Sequence, residues 1–482
     1  MPYTGGKANK APRAKVGGGM GTEWIGVEMA TLELGDPRRS RRVMQMIEQF
    51  SANPMASIPK ACGNAADTKA AYRALGSEAI SAEEIRLAHA RATAERTRGL
   101  ERVLVTQDTF TLSFSTCPET EGLGPVGKAG SRGLFVHSGL VVTPEGLPLG
   151  IVHQQAWARD DEEEGKRHTR RKRLIEEKES FRWLETVDAV ESLLPKDVEV
   201  WVAGDREADI FELFAMPRRP GLHLVVRAAH DRKVESEEAQ YLHEAVEGSP
   251  VLGEMEVAVP RSRKRDPRTA KLQVQACTLD LVPPRNHLGR EDLSPIRVSV
   301  VRVREMETVP EGEDPIEWMI ITTVPVGSFE EAVEIVEAYA QRWKVERYHY
   351  VLKSGCGMEK LQLGSAERIE RALSIYNVVA WRLLYMTYVA RIAPELPCTA
   401  VLEDDEWKAL FVVGSKRASP LPEKVPTVRE AVRRVAMLGG FQGRKGDGEP
   451  GLQSIWTGFR RLMDFTLALQ RLRVSTTLVG NG

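Results

Sequence analysis

Three carboxylates stand where phosphodiester chemistry would need them. Asp108 falls within an extended apolar stretch, Asp205 directly follows a second one, and Glu346 lies in a later segment with helical periodicity. Mg²⁺ prefers carboxylate and water oxygens. Two such ions about 4 Å apart can activate a water and stabilise the leaving oxygen when a phosphodiester is cut. The spacing alone is moderately specific, because 68 acidic side chains offer many accidental triples.

Glu346 also belongs to a line of potentially functional side chains in the stretch AYAQRWKVERYHYVLKSG, residues 338–355. On one continuous helix, at about 100° per residue, Tyr339, Arg342, Glu346 and Lys353 fall within an arc of roughly 60°. The four side chains would then make one narrow stripe. Such a stripe is either a functional surface or an exposed amphipathic face with charge pairs along the helix. His349, three residues after Glu346, has no second histidine to complete a metal site and is expected to be an ordinary exposed residue.

The elements that must position these residues follow an α/β order. The β-branched and aromatic residues of 102–115 predict a strand, and GLFVHSGLVV and LPLGIVHQQAW continue it as an antiparallel meander around a turn at 143–146. A mostly helical, charged segment over 160–194 precedes a buried strand ending near Ala203, a turn, and a helix from about Glu207. This is the opening order of an RNase H-like fold, which would bring the three carboxylates to one end of the central strands.

Four regions are expected along the chain. Residues 1–20 read as a disordered tail and 21–97 as a helical domain, in which Asp36 caps a helix beginning at Pro37. Residues 98–391 form the α/β catalytic domain with a β-rich insertion at about 222–323. In that domain the sequence SFEE, 328–331, has the spacing of a helix capping box. Residues 392–482 form a helical C-terminal domain.

Composition excludes several classes of protein. With 482 residues, 42% of them hydrophobic, the chain can bury a large core. Five cysteines without a CxxC pair suggest neither a disulfide framework nor a cysteine zinc site, and fit a reducing cytoplasm. No run of about 18 apolar residues indicates a membrane span. The glycine-rich stretch 122–129 nearly spells a phosphate-binding loop, but Ala129 replaces the required Ser or Thr, so no nucleotide cofactor is expected.

Local charge points toward nucleic acid although the net charge is only -1. Arginine and lysine cluster at 38–42, 166–173 and 261–268. Such clusters are the usual footprint of phosphate contact, and solvated surface charge is an equal alternative for each one.

A resemblance covers nearly the whole chain after Trp24. The motifs TQDTFTLSFS, AGDREADIFELF and Tyr339-x2-Arg342-x3-Glu346-x6-Lys353, with LGDPRRSRR, VVRAAHDRK, EWMIITTVPV and AMLGGF in the same order, resemble bacterial cut-and-paste transposases of the insertion-sequence-four family, Tn-five type. This implies a homodimer, joined by helices around 428–472, that acts on double-stranded DNA at transposon ends and on target DNA in the bacterial cytoplasm. DNA contacts in the basic segment 166–173 are our own inference, because that segment looks like an addition to the family pattern.

The same resemblance implies roles for individual residues. Asp108, Asp205 and Glu346 match the metal-binding carboxylates, which would hold two Mg²⁺ ions, with Mn²⁺ as a substitute. Tyr339, Arg342 and Lys353 match residues that contact the DNA phosphates. Trp318 matches a tryptophan that stacks on a flipped base, although a tryptophan entering an apolar strand is otherwise more often core. Arg227 matches a basic residue near the DNA hairpin, and the end-binding candidates are Arg38, Arg39, Arg41 and Arg42.

Two other functions stay open from the sequence. A catalytically silent transposase could act as a DNA-binding regulator, although the intact carboxylate set argues against it. A metal nuclease without a joining step would differ by never transferring its cut 3′ ends to a second DNA.

Overall fold

The computed structural model describes residues 23–127, 130–161, 173–236, 238–259, 267–285, 293–306, 309–310, 313–413 and 421–479. They form two compact units. The sheet unit contains Gly99–Asp108 and the described part of Gly165–Val345. The helical unit contains the described parts of Lys10–Arg98, Thr109–Glu164 and Glu346–Gly482. The division falls once inside a strand, after Asp108, and once inside a helix, after Val345.

The sheet unit is built on strands that run parallel on one side and antiparallel on the other. Their order is β1–β5–β6–β11–β10–β9, with β7 and β8 both paired to β9. The pairs β1–β5 and β5–β6 are parallel, and the remaining pairs are antiparallel. The strands are β1 (Arg102–Ser113, its first part), β5 (Glu199–Gly204), β6 (Leu222–Arg227), β7 (Val234–Glu235), β8 (Val251–Val259), β9 (Arg268–Leu281), β10 (Ile296–Glu305) and β11 (Glu317–Thr322).

Four helices accompany these strands: α6 (Phe181–Leu193), α7 (Phe211–Ala215), α8 (Leu242–Glu247) and α9 (Phe329–Ala340). The central strands are valine-rich and buried, as Val103, Val105, Val200 and Val202 illustrate. Near-continuous apolar runs of this kind are typical of parallel strands covered on both faces. The apolar content of β1 and β5 is therefore that of strands covered on both faces.

The helical unit contains the meander and two sets of helices. The end of β1 lies beside β3 (Arg132–Val142), which pairs with β4 (Pro148–Trp157) and with the short β2 (Gly124–Pro125). The first set of helices is α1 (Glu23–Glu28), α2 (Pro37–Ala52), α3 (Ile58–Cys62), α4 (Ala65–Leu75) and α5 (Ala82–Thr97). The second is α10 (Trp343–Tyr350, from Glu346 onward), α11 (Ala366–Ile392), α12 (Asp404–Val413), α13 (Val428–Leu438) and α14 (Leu452–Val479).

Helix α11 lies at the centre of the helical unit. It is 27 residues long, and almost every residue from Ala372 to Ala390 is buried. A helix that is apolar on all sides is stable only when other elements surround it. Helices α2, α5, α13 and α14 and strand β4 contact it.

Several local predictions are confirmed. Asp36 caps α2 by accepting a hydrogen bond from the Arg38 amide at 2.8 Å, and Pro37 is the first helical residue. Ser328 and Glu331 form the reciprocal capping box at the start of α9. The antiparallel meander, the intervening α6 and the parallel β5 reproduce the expected RNase H-like order.

Two helical predictions are wrong. The helix expected from Glu207 begins at Phe211, because a 3₁₀ turn over Arg206–Ala208 comes first. The single helix expected through residues 338–355 is three segments: α9 ends at Ala340, α10 follows after a two-residue break, and a π-helical turn occupies Val351–Gly355. Amides 341, 342, 344 and 345 each bond the carbonyl three residues back, which tightens the backbone there. The common arc, which assumed a continuous α-helix, therefore does not hold.

Several sequence features lie outside the described residues. They are the tail before Glu23, Ala129, most of the basic segments 166–173 and 261–268, and residues 480–482. Within the described residues, no helix is long and apolar enough to cross a membrane.

Candidate active site

The strand register of the sheet unit places Asp108, Asp205 and Arg227 in one row. The last registered pair of β1 and β5 is Thr106 with Ala203, so two further residues bring Asp108 opposite Asp205. Asp205 keeps an extended backbone (φ -81°, ψ -163°) directly after β5. The last pair of β5 and β6 is Gly204 with Val226, so the next step brings Asp205 opposite Arg227. Neighbouring strands lie about 4.8 Å apart. Continued in this way, the register aligns the backbone positions of Asp108, Asp205 and Arg227 just beyond the last parallel pairs.

Asp108 has a cation beside it. Its carboxylate lies 4.0 Å from the Arg342 guanidinium and is 17% exposed, whereas Arg342 is 6% exposed. Arg342 sits in the break between α9 and α10, and its guanidinium also lies 4.6 Å from the centre of the Trp343 ring. At 4.0 Å the contact with Asp108 is a charge interaction longer than a direct hydrogen bond. An anion at this edge would therefore meet both an acidic and a basic group.

Trp318 and Tyr339 pack against each other in the same unit. Trp318 lies on β11 opposite Val303, is partly exposed, and meets Tyr339 edge to face with 5.2 Å between ring centres. Tyr339 is buried, and burial raises the pKa of its phenol despite the opposing charges of Arg342 and Arg227. The tryptophan is thus not a fully buried core residue.

Arg227 ends β6 beside this aromatic pair. Its guanidinium donates to the Glu317 carbonyl at 3.1 Å, which ties it to the start of β11. The next residue is held too, because the Ala228 amide donates to the Met319 carbonyl at 2.8 Å. The end of β6 is therefore fixed against β11 on one side and β5 on the other.

Two further predicted residues lie in the helical unit. Glu346 is on α10 and is half-buried. Lys353 lies in the π-helical turn, donates to the Thr111 carbonyl at 2.9 Å, and pairs with Glu359 at 3.1 Å. Glu359 in turn accepts from the Ser113 amide at 2.9 Å. Lys353 is thus anchored to the end of β1 and does not project freely from a helix.

The expectation that His349 is exposed is wrong. Its ring is buried and stacks on Phe110 with 4.0 Å between ring centres. Burial, with a smaller effect of the Lys353 charge, lowers the pKa of His349 to about 3. The signal available in the sequence was the spacing of His349, which lies four residues from Val345 and next to Tyr348, both of which are buried. An uncharged aromatic role follows.

The basic cluster of α2 is only partly available for DNA. Arg38 is 83% exposed and pairs with Asp36, and Arg41 is also exposed. Arg39 donates to the Leu34 carbonyl at 3.0 Å. Arg42 pairs at 3.2 Å with Asp67, which also accepts from Gln45, Gln49 and Asn64. Arg38, Arg39 and Arg41 are thus exposed, whereas Arg42 is partly buried.

The donor chemistry of the row fits a hard divalent cation. Asp108 and Asp205 offer carboxylate oxygens, the ligand type that Mg²⁺ and Mn²⁺ prefer. One oxygen of Asp205 accepts the Glu207 amide at 2.8 Å, which orients the carboxylate. Across the part of the chain that the structure describes, no group of three His, Cys, Asp or Glu side chains has the spacing of a complete metal site.

Sequence families match three segments of the chain. Residues 21–80 match the transposase DNA-binding family, 153–382 the transposase DDE domain, and 378–476 the dimerisation domain of Tn5 transposase. The DDE match includes Asp205 and Glu346, whereas Asp108 lies between the first two matches. Only 1–20, 81–152 and 477–482 are left unmatched. The DDE match indicates a metal-dependent enzyme, and the other two indicate DNA binding and dimer formation.

Proposed function

Because this chain belongs to the Tn5-type DDE transposases, we propose that it is a cut-and-paste DNA transposase. It binds the terminal inverted repeats of its own element, cleaves them through a DNA hairpin, and joins the freed 3′ ends to target DNA. The observation that supports this most strongly is the row of Asp108, Asp205 and Arg227, which lies where the parallel pairing of β1, β5 and β6 ends. An acidic pair beside fixed cations suits a phosphodiester whose charge grows during cleavage.

Asp108, Asp205 and Glu346 are the proposed metal ligands, and the proposed metal is a pair of Mg²⁺ ions for which Mn²⁺ can substitute. Bound there, divalent ions would supply a water nucleophile at neutral pH and stabilise the leaving oxygen. Asp205 is already oriented by the amide of Glu207. A preoriented carboxylate loses less conformational entropy when it binds a ligand.

The cations beside the acids would hold the DNA backbone. Arg342 stays within 4.0 Å of Asp108, so a phosphate near that carboxylate would also lie near the guanidinium. Lys353 and Tyr339 are the other proposed phosphate contacts. Since Tyr339 is buried and Lys353 is paired with Glu359, both contacts require local adjustment when DNA binds. Arg342 is also buried, with 6% of its side chain exposed, so its contact with the backbone requires local adjustment as well.

Hairpin formation bends DNA sharply and unstacks a base. Unstacking costs a few kcal/mol, which an aromatic platform can offset. The partly exposed Trp318, supported edge-on by Tyr339, is the proposed platform. Arg227 would hold the phosphate beside the flipped base.

The two flanking matches suggest how the ends are paired. Arg38, Arg39, Arg41 and Arg42 lie within the matched DNA-binding segment and are the proposed end contacts, and the first three of them are exposed. In α14 the side chains of Phe465, Leu467 and Leu472 are exposed and apolar, as expected where two copies meet. The dimer would hold two ends in the synaptic complex, in the bacterial cytoplasm.

The test is a gel assay on DNA that carries the inverted repeats flanking the gene. Wild type with Mg²⁺ should give nicked and hairpin products, and EDTA should remove both. Glu346→Ala should bind the ends and cut neither strand, while the matched control Glu330→Ala, an exposed glutamate of α9, should cut like wild type. If wild type binds the ends and never cuts them, the chain is a DNA-binding regulator. If it cuts without joining, it is a nuclease.

A further inference from the structure

A second aspartate, four residues after Asp205, is buried and heavily hydrogen-bonded. The Asp209 side chain is fully buried. One carboxylate oxygen accepts the amides of Ala229 at 2.7 Å and His230 at 3.1 Å. The other accepts Nε of Arg232 at 2.6 Å, and the Asp209 carbonyl accepts Nη2 of the same arginine at 2.6 Å. All the donors belong to one short loop.

That loop begins directly after Arg227. Asp209 closes the 3₁₀ turn that follows Asp205, and residues 228–233 follow the last residue of β6. One carboxylate therefore joins the two connections that leave β5 and β6 at the same end of the sheet. Asp205 and Arg227 are neighbours in the register at that end. The positions of Asp205 and Arg227 therefore depend on how the connections that follow β5 and β6 are held.

The energetics favour a positioning role for this pair. Burying a carboxylate and a guanidinium carries a desolvation penalty, and their mutual attraction often does no more than offset it. Such a pair is therefore weak evidence for stability by itself. Here the carboxylate accepts from two loop amides as well as from Arg232, which specifies one loop conformation. Charge-assisted hydrogen bonds of this kind have strict geometry.

We propose that Asp209, through Arg232 and the amides of Ala229 and His230, is a positioning residue that holds Arg227 in the row with Asp205 for the hairpin step. Asp209 touches no reacting atom in this proposal. The inference rests on the proposed function and deepens it, because it predicts which step depends on this cluster. Loss of Asp209 should impair hairpin formation more than the first nick, in the same way as loss of Arg227.

The experiment compares nick and hairpin formation by the full chain on end DNA, for Asp209→Asn, Arg227→Ala and the double variant. Asp209→Asn should slow the hairpin step on the order of 100-fold, since a displacement of about 1 Å can cost that much, and should slow nicking far less. The double variant should be no slower than Arg227→Ala alone. Arg232→Lys, which keeps the charge and loses the paired contacts, should show the same selectivity more weakly. Asp231→Asn, an exposed aspartate of the same loop, should behave like wild type.

Two results would overturn the proposal. One is an equal loss of nicking and hairpin formation in Asp209→Asn, and the other is a double variant whose rate loss is the product of the two single losses. Amide exchange in the same proteins supplies a readout independent of cutting. Asp209→Asn should speed exchange at Ala229 and His230, with the core strands β5 and β6 unchanged; unchanged exchange at both amides overturns the proposed positioning. If wild type does not cut DNA but the exchange result is as expected, the proposed function is wrong, whereas the proposed contact between Asp209 and the loop is still supported.

Discussion

The chain contains two clusters in which a carboxylate meets cations, and they are built in opposite ways. In the helical unit, Glu28 is 3% exposed and accepts from Arg96 at 2.8 and 3.1 Å and from His89. Nε2 of His89 accepts the Ile151 amide at 3.0 Å, so Nδ1 carries the proton donated to Glu28. In the sheet unit, Asp108 is 17% exposed, and the guanidinium of Arg342 lies 4.0 Å from its carboxylate.

The difference separates a group that maintains the fold from one that can exchange ligands. The side chains of His89 and Arg96 donate to Glu28, and these contacts, together with that from the Ile151 amide, connect α1, α5 and β4. Removing the carboxylate would leave the buried donors unsatisfied. Asp108 lies within β1 and Asp205 directly follows β5, and both side chains are partly exposed to solvent. Partly exposed carboxylates can take a cation from solution at little structural cost. We therefore expect substitutions in the first cluster to change stability and substitutions in the second to change activity.

The largest effect is expected at the sheet edge. Asp205→Asn keeps the shape and the cap on the Glu207 amide but weakens the oxygen donor, so cleavage of end DNA should fall below detection. End binding and the midpoint of thermal unfolding should stay close to wild type. Asp197→Asn, an exposed aspartate before the same strand, is the control. A large loss of stability in Asp205→Asn would make this residue part of the fold and not of the site.

In the helical unit, Glu28→Ala should cost about 3–5 kcal/mol of unfolding free energy, because it leaves a buried arginine and histidine donor uncompensated. Urea unfolding followed by circular dichroism measures the loss. Glu33→Ala, an exposed glutamate a few residues later, should be nearly neutral. A Glu28 variant as stable as wild type would contradict the contrast drawn between the two clusters.

The same glutamate predicts a pH dependence. Burial alone would raise the pKa of Glu28, but the charge of Arg96 and the hydrogen bonds from His89 and Arg96 outweigh it and lower the pKa from 4.5 to about 2. A carboxylate with a lowered folded-state pKa stabilises the fold above its unfolded pKa, and this contribution is lost as pH falls through the folded value. Between about pH 4.5 and 2, wild type should lose on the order of 3 kcal/mol that Glu28→Gln does not lose. Parallel stability curves for the two proteins across that range would refute the assignment.

The smallest effect is expected at Trp318. Trp318→Ala should weaken hairpin formation by about 1–3 kcal/mol, roughly 10- to 100-fold, with first-strand nicking retained, because one base loses its stacking partner. Trp318→Phe keeps an aromatic face and should recover most of the rate. Equal loss of nicking and hairpin formation in Trp318→Ala would instead identify Trp318 as a packing residue of β11.

The predictions that succeeded rested on local chemistry and on apolar patterning. The Asp36 cap, the capping box at Ser328, the strand that contains Asp108 and the strand that Asp205 follows are confirmed because a few neighbouring residues determine each one. The row with Arg227 could not be derived, since it depends on the register between strands far apart in sequence. The continuous stripe failed for a similar reason. Helical periodicity does not reveal the tightened backbone at Arg342 or the π-helical turn at Lys353.

Buried polar residues were the hardest to predict. His349 and Asp209 look like surface residues in the sequence, and only tertiary packing against Phe110 and the loop after Arg227 buries them. The exact roles of Asp108, Asp205, Glu346 and the DNA-contacting residues stay predictions.

The most direct test of the central claim measures metal binding itself. The full chain bound to uncleaved end DNA would be titrated with Mn²⁺ and followed by electron paramagnetic resonance, for wild type, Asp108→Asn, Asp205→Asn and Glu346→Gln. The account predicts specific Mn²⁺ binding in wild type, competition by Mg²⁺, and loss of that binding in each variant although the DNA stays bound. Mn²⁺ bound equally well by wild type and all three variants would contradict it.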